Sequence, residues 1–244
     1  MAITRGATVS TAGQTTGSST SNDITHTVDT GTTLLIVTVG LEAGETMSAV
    51  PQWSLGGGEN TTLINQTTSS GDNADQHNYV YGLVNPTAGA GTVSVDFTTT
   101  DNCVACAVNY LGTETASVAA ATNFDNEDVN DATSATTVLA SGGSAPNWVL
   151  ACANFRGADG TPASSGSDAF TELADFESGG GGTSTDTSMW VGDKAAPAGT
   201  TITWSETDEN AGQLIEIVAA ASGGPPPGIS SSGAIGSSQL NRLR

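Results

Sequence analysis

The sequence predicts an all-β protein, a single antiparallel β-sandwich of about ten to twelve strands. Three observations carry that prediction. From Ile24 almost to the end, apolar residues recur with a period of two in short runs. Clusters of Gly, Pro, Asn and Ser interrupt these runs at intervals of roughly ten residues, the spacing of sandwich or barrel strands. No segment carries the 3.6-residue apolar repeat of an amphipathic helix. The predicted organisation is a flexible arm over residues 1–20, the sandwich over 21–222 and a Pro/Gly/Ser-rich tail over 223–244.

Each element follows from its local pattern. Residues 1–20 are mostly Thr, Ser, Gly and Ala and read as an unstructured arm. "TLLIVTVGL" (33–41) places Leu35, Val37 and Val39 on one face and Leu34 and Ile36 on the other, a central strand buried on both sides. Pro51 confines "SAVPQWSLGG" to an edge or bulge. The glycines of Gly56–Asn60 turn the chain into "NTTLINQTTSS" as a hairpin. "NYVYGLV" (78–84) and "GTVSVDFT" (91–98) are strands joined by "NPTAGAG", which reverses the chain. "CVACAVNYLG" (103–112) is a second doubly buried strand, and "ATNFDNEDVNDATS" (121–134) reads as a polar, acidic loop. Six further strand patterns follow, at 134–141, 147–155, 169–176, 188–196, 201–207 and 213–221. "NPTAGAGTVSVDFT" and "APAGTTITWSE" close the two halves in similar style, so a tandem duplication is an alternative. The single sandwich is preferred because the one linker-like run, "ESGGGG", falls inside the second half.

Charge and cysteine usage bound the function. The chain has 25 acidic and 5 basic residues, a net charge of −20, and three of the basic residues (Arg5, Arg242, Arg244) sit at its ends. Such a body repels phosphate backbones, so no nucleic-acid partner is expected. No apolar run reaches the length of a membrane span and no signal-peptide core follows Arg5, so neither membrane insertion nor Sec export is expected. Cys103, Cys106 and Cys152 lie in apolar runs and read as buried free thiols, the pattern of a chain folded in a reducing compartment.

Candidate sites are sparse. His26 and His77 lie in no nucleophile motif and read as surface histidines, and no paired carboxylates on strands announce a glycosidase, so no enzyme is expected. "DNEDVND" offers Asp125, Glu127, Asp128 and Asp131 at spacings that suit a hard cation such as Ca²⁺, against a leading reading as a solvated acidic loop. Trp148, Trp190 and Trp204 read as core or sheet-edge packing. Trp53, beside a proline and "SLGGG", is the ring best placed to stack on a sugar, against a leading reading as a packing residue like the other three. The tail ends in "QLNRLR"; against a leading reading as a disordered tail, Leu240, Arg242, Leu243 and Arg244 offer a basic tip for docking on a neighbouring acidic subunit.

The phrases "LLIVTVGLEAG", "SLGGGENTTLI", "YVYGLVNPTAGAGTVSVDF", "VACAVNYLGT" and "TSMWVGDKAAPAGTTITWSE" resemble, in that order, a recurrent β-domain of phage structural proteins and bacterial surface proteins, a jelly-roll, lectin-like sandwich. The resemblance carries no catalytic motif. It implies a non-enzymatic structural protein exposed on a phage-like virion, as capsid decoration or tail or fibre component. Such a protein folds in the host cytoplasm and leaves by lysis, which accounts for an outward-facing composition without an export signal. The implied partners are other virion subunits, through a homo-oligomer or lattice copy. The alternative is a carbohydrate-binding or adhesion module that meets a surface glycan.

Overall fold

A computed structural model describes residues 2–14, 19–42, 45–69, 76–99, 102–129, 136–138, 147–156, 170–178, 187–195, 201–203 and 210–221. Its strands are β1 (Thr4–Gln14), β2 (Ile24–Val28), β3 (Leu34–Leu41), β4 (Gln52–Trp53), β5 (Glu59–Asn60), β6 (Thr62–Thr68), β7 (His77–Val84), β8 (Gly89–Ser94) and β9 (Cys103–Leu111) in the first half. A single helical turn, α1 (Val118–Ala121), leads into β10 (Thr122–Val129), β11 (Thr136–Val138), β12 (Trp148–Arg156), β13 (Thr171–Glu177), β14 (Thr187–Ala195), β15 (Thr201–Thr203) and β16 (Asn210–Ile217). Among the described residues no helix is long and apolar enough to cross a membrane.

The all-β, antiparallel sandwich class is as predicted, and within it the strand order of the second half repeats that of the first. The first half pairs a sheet of order β1-β9-β3-β7-β6 with one of order β2-β8-β4-β5. The second half pairs β10-β16-β12-β14-β13 with a β11-β15 ribbon. Strand for strand, β10, β16, β12, β14 and β13 repeat β1, β9, β3, β7 and β6. The ribbon repeats the β2–β8 pair, with β11 beside β10 and β16 as β2 is beside β1 and β9. One irregularity recurs as well, although the slip of β1 against β9 between Arg5 and Val9 has no counterpart in β10 against β16. The register of β6 against β7 slips between Leu63 and Asn65, and that of β13 against β14 slips between Glu172 and Ala174. Matching the slips sets Val80 opposite Val191 and Gly82 opposite Asp193. The flanking pairs then set Leu34 opposite Trp148 and Tyr110 opposite Ile217.

The two five-stranded sheets pack back to back. Leu34, Ile36, Val80, Val104, Cys106 and Val108 interlock there with Leu150, Cys152, Met189, Val191, Ile215 and Ile217. Strand β1 faces β13 as β10 faces β6, and β9 faces β14 as β16 faces β7, which is a local twofold relation between the halves. The other face of the first sheet presents Leu35, Val37, Val39, Tyr79 and Ala105 to Trp53, Val93 and Phe97. Both central strands, β3 and β9, are therefore buried on both faces, as their continuous apolar runs predict.

Four local expectations are corrected. Residues 4–14, read as part of a flexible arm, form β1, paired along β9. This edge strand is held by backbone bonds to a buried neighbour, so it needs little apolar periodicity of its own. "NPTAGAG" does not close a hairpin: β7 and β8 belong to different sheets, and the link carries the chain over the sandwich edge with Asn85 and Gly89 at positive φ (51° and 139°). The Gly56–Gly58 turn does close a hairpin, but between β4 and β5, while the following strand β6 pairs with β7. The stretch read as an acidic loop begins as β10, paired along the whole of β16.

Candidate functional site

Trp53 lies under β8 with no exposed surface, and its indole N–H donates to the Thr87 carbonyl at 2.8 Å. The expected sugar platform is therefore a core residue; the glycine at position 91 leaves room for its ring. His26, read as a surface residue, is buried beside it, with ring centroids 6.2 Å apart. The Asn109 amide donates to the Thr27 carbonyl, so its oxygen accepts from His26 Nε2–H at 3.0 Å, leaving Nδ1 to accept from Ser10. Burial holds the imidazole below its ordinary value, against the opposing pull of Asn109 and the Asp29 charge. The three cysteines are free and buried as expected, and burial pushes the Cys103 and Cys152 thiols up to about 12. Trp190 is buried and Trp148 half-buried.

Asp125, Glu127 and Asp128 fall on the strand β10, whose extended backbone replaces the expected loop. Asp131, Trp204 and the tail residues Leu240, Arg242, Leu243 and Arg244 lie outside the described residues. Among the described residues, no group of three or more His, Cys, Asp or Glu side chains is placed to hold a metal.

Two pockets, each backed by buried polar or aromatic side chains, carry chemistry instead. On β7, His77, Tyr79 and Tyr81 alternate along one face and stack in a row, with centroid separations of 6.0 and 6.3 Å. Tyr79 and Tyr81 are themselves buried, 7% and 3% exposed, so they show this surface little more than an edge. An open groove of about 460 Å³ runs past it, lined by Met47, Ser48, Val50, Gln66, Tyr79 and Tyr81. Burial raises both phenols, and at Tyr81 the neighbouring Tyr79 adds to the rise, so both remain neutral hydroxyls. A neutral, amphipathic lining of ring edges, an amide and a thioether suits a polyol. The i, i+2, i+4 run of aromatic residues in "HNYVY" was the sequence signal for this row.

The second feature lies at one end of the seam between the halves. Asp193, 1% exposed, accepts from Arg5 Nη1 at 2.6 Å and from the Tyr110 hydroxyl at 3.0 Å. Burial raises its carboxyl, and the Arg5 guanidinium and the Tyr110 hydroxyl oppose that rise without cancelling it. The Tyr110 ring meets Trp148 edge-on at 6.3 Å. Outside this pair opens a cavity of about 430 Å³ lined by Arg5, Val9, Trp148, Glu172 and Leu173. No sequence pattern links Arg5 to Asp193, which are 188 positions apart.

The far end of the seam is closed by amides. Asn154 donates to Gln76 Oε1 and to the His77 carbonyl, both at 3.1 Å, and accepts from Thr187 at 2.7 Å. Asn78 donates to the Ala211 carbonyl at 3.0 Å, and Gln213 returns a bond to the Asn78 carbonyl at 2.7 Å. These groups key one half to the other, with the Cys152 thiol against Asn78. Comparison with known proteins finds no matching family model, no matching curated protein and no matching solved structure.

Proposed function

We propose that this protein is a non-enzymatic structural component of a phage-like particle, displayed on its surface as a decoration or as part of a tail or fibre. The observation that carries this reading is the back-to-back tandem of sandwiches. The buried amides of Asn78, Asn154 and Gln213 bond one half to the other, which suits a stiff surface block. The strand orders support the jelly-roll reading: β1-β9-β3-β7 faces β2-β8-β4-β5, the alternation of two interleaved Greek keys. Buried thiols suit folding in the host cytoplasm before release. Assembly runs through the tail, whose basic Leu240–Arg244 tip meets the acidic body of another subunit in a homo-oligomer or lattice.

The test is light scattering on size-exclusion fractions of the full chain and of a chain ending at Ala221. The N-terminal residues are kept in both because β1 is part of the fold. Oligomers of the full chain that the shortened chain does not form support the reading. Identical monomers overturn the tail-driven assembly.

The groove beside Tyr79 and Tyr81 favours one second reading, a carbohydrate-binding or adhesion module. A glycan array probed with the full chain, with and without Ca²⁺, reads it out. Hits that Gln66→Ala and Val50→Asp abolish support it, and an array without hits removes it.

A further inference from the structure

Strand β1 ends the first sheet, and Ser10 lies midway along it, half-buried and opposite Ala107 of β9. Its side chain turns toward β2, where Oγ stands 3.0 Å from Nδ1 of the buried His26. The tautomer fixes the direction of that bond. Nε2–H is spent on Asn109 Oδ1 at 3.0 Å, so Nδ1 carries the lone pair and the serine hydroxyl donates to it. Asn109 is anchored in turn, its amide nitrogen donating to the Thr27 carbonyl at 2.8 Å. A hydroxyl, an imidazole and an orienting amide thus follow one another inward, from β1, β2 and β9.

Groups in this order turn an ordinary serine into a nucleophile. A free hydroxyl is weak, and a base within hydrogen-bond reach strengthens it by taking the proton as the oxygen attacks. An asparagine can hold the imidazole in such a relay, as a carboxylate does. Burial keeps His26 below its ordinary value, so the ring is neutral and able to accept a proton at neutral pH. Ser117 shows the contrast. It is more exposed than Ser10, but its Oγ caps α1 by accepting from Ala120 N–H at 3.1 Å, an arrangement that supplies no base.

We propose that Ser10 is an acylation site, a serine that takes the acyl group of a small uncharged ester with His26 as its base. Oγ attacks the carbonyl carbon of the ester while the hydroxyl proton passes to Nδ1. The bond from that carbon to the leaving oxygen then breaks, and the proton follows to the departing oxygen. The products are an ester on Ser10, a free alcohol and a neutral imidazole, with no oxidant or cofactor consumed. Access comes from the sheet edge, because no described strand pairs with the outer side of β1. An edge strand also presents backbone N–H groups outward, the donor type that steadies a developing oxyanion. Charge selects the donor. The chain carries a net −20, and the Asp29 carboxylate, which acts on His26, accepts from Ala7 N–H at 2.8 Å on the same strand, so anionic esters are repelled. A single acylation adds a group and turns nothing over, so the inference stands beside the structural role proposed above and does not rest on it.

The experiment exposes the full chain to 4-nitrophenyl acetate at neutral pH and locates the acetyl group by peptide mass mapping. Ser10 is expected to be acetylated while the more exposed Ser117 is not. Ser10→Ala should abolish that label, and His26→Gln should slow it by about 100-fold or more. A second pair of variants keeps the test sound where His26→Gln does not fold. The thiol of Ser10→Cys should react with iodoacetamide about tenfold or more faster than that of Ser117→Cys, because the imidazole draws off its proton. The three native thiols are buried and stay silent in both. Acetylation confined to amino groups, Ser10 labelled no faster than Ser117, or a rate that a folded His26→Gln leaves unchanged overturns the proposal. Equal reaction of the two introduced thiols overturns it as well.

Discussion

Gly82 on β7 and Asp193 on β14 stand at equivalent positions of the two halves, and each is closed in its own way. Over Gly82 the chain lays an apolar side chain, Val118. At Asp193 it buries a carboxylate and brings Arg5 from the first strand to meet it. The two halves are thus alike in topology and different in chemistry at one point of their shared seam. That point is where a charge has entered an otherwise apolar contact.

Arg5→Ala leaves the Asp193 carboxylate buried with only the Tyr110 hydroxyl, and is expected to cost about 2–4 kcal/mol of stability in urea melts at neutral pH. Asp193→Asn keeps a Tyr110 partner and costs less. The double variant should be more stable than the sum of the singles by about 1–3 kcal/mol. The folded carboxyl lies above its unfolded value, so its contribution is favourable in acid and is lost as pH rises through the folded value. The penalty of Arg5→Ala should therefore shrink on acidification toward pH 4, and a penalty independent of pH would exclude the ion pair as its cause.

His26 carries the opposite sign. Its folded value lies below 6.5, so the unfolded chain holds the extra proton and stability falls as pH drops beneath about 6.5. Subtracting the melts of His26→Gln from those of the unaltered protein should give a difference that is flat above pH 7. Below that it should decline, with a slope of at most about 1.4 kcal/mol per pH unit.

Asn154→Leu removes the amide that ties Gln76, His77 and Thr187 together across the seam and leaves their buried polar atoms without it. A loss of about 2–4 kcal/mol is expected, read as a lower urea midpoint at unchanged slope. Gly40→Ala points a methyl group at the same amide and should destabilise in the same direction.

The thiols of Cys103, Cys106 and Cys152 should resist an aromatic disulfide reagent in the folded protein and react only as it unfolds. Reaction of all three at one rate, set by opening of the whole molecule, is the expected outcome. Selective reaction of Cys152 would show that the second half opens by itself.

The core was legible where burial dictated composition. Strands β3 and β9 advertise themselves because both faces are covered, so nearly every position must be apolar or small. Strand β1 did not, because an edge strand is fixed by its neighbour's backbone and its own Thr, Gly and Ala pattern is that of a loop. The sugar-stacking alternative for Trp53 fails for a related reason: a proline and three glycines beside it suggest surface, yet they form the hairpin that folds the ring inward over Gly91. The repeat was legible only as an alternative, from two similar closing phrases, because equivalent positions share a place in the fold and little else, as Leu34 and Trp148 or Gly82 and Asp193 show. The Arg5–Asp193 pair could not be read at all, since only the closing of one half on the other brings β1 to β14.

Beyond β9 and β16 the two exit segments cross, Thr113 bridging Ala219, and the crossing also determines how the molecule can be held. Ala2 packs on Gly112 from one side and Ala220 hydrogen-bonds it from the other, so the described chain enters and leaves at a single pole. A circular permutant joined there by a short linker, and opened between β5 and β6, should retain the tandem. Tension applied through both ends would enter at Gly112 and load the β1–β9 edge first, leaving the amide-locked pole the last part of the block to feel the pull.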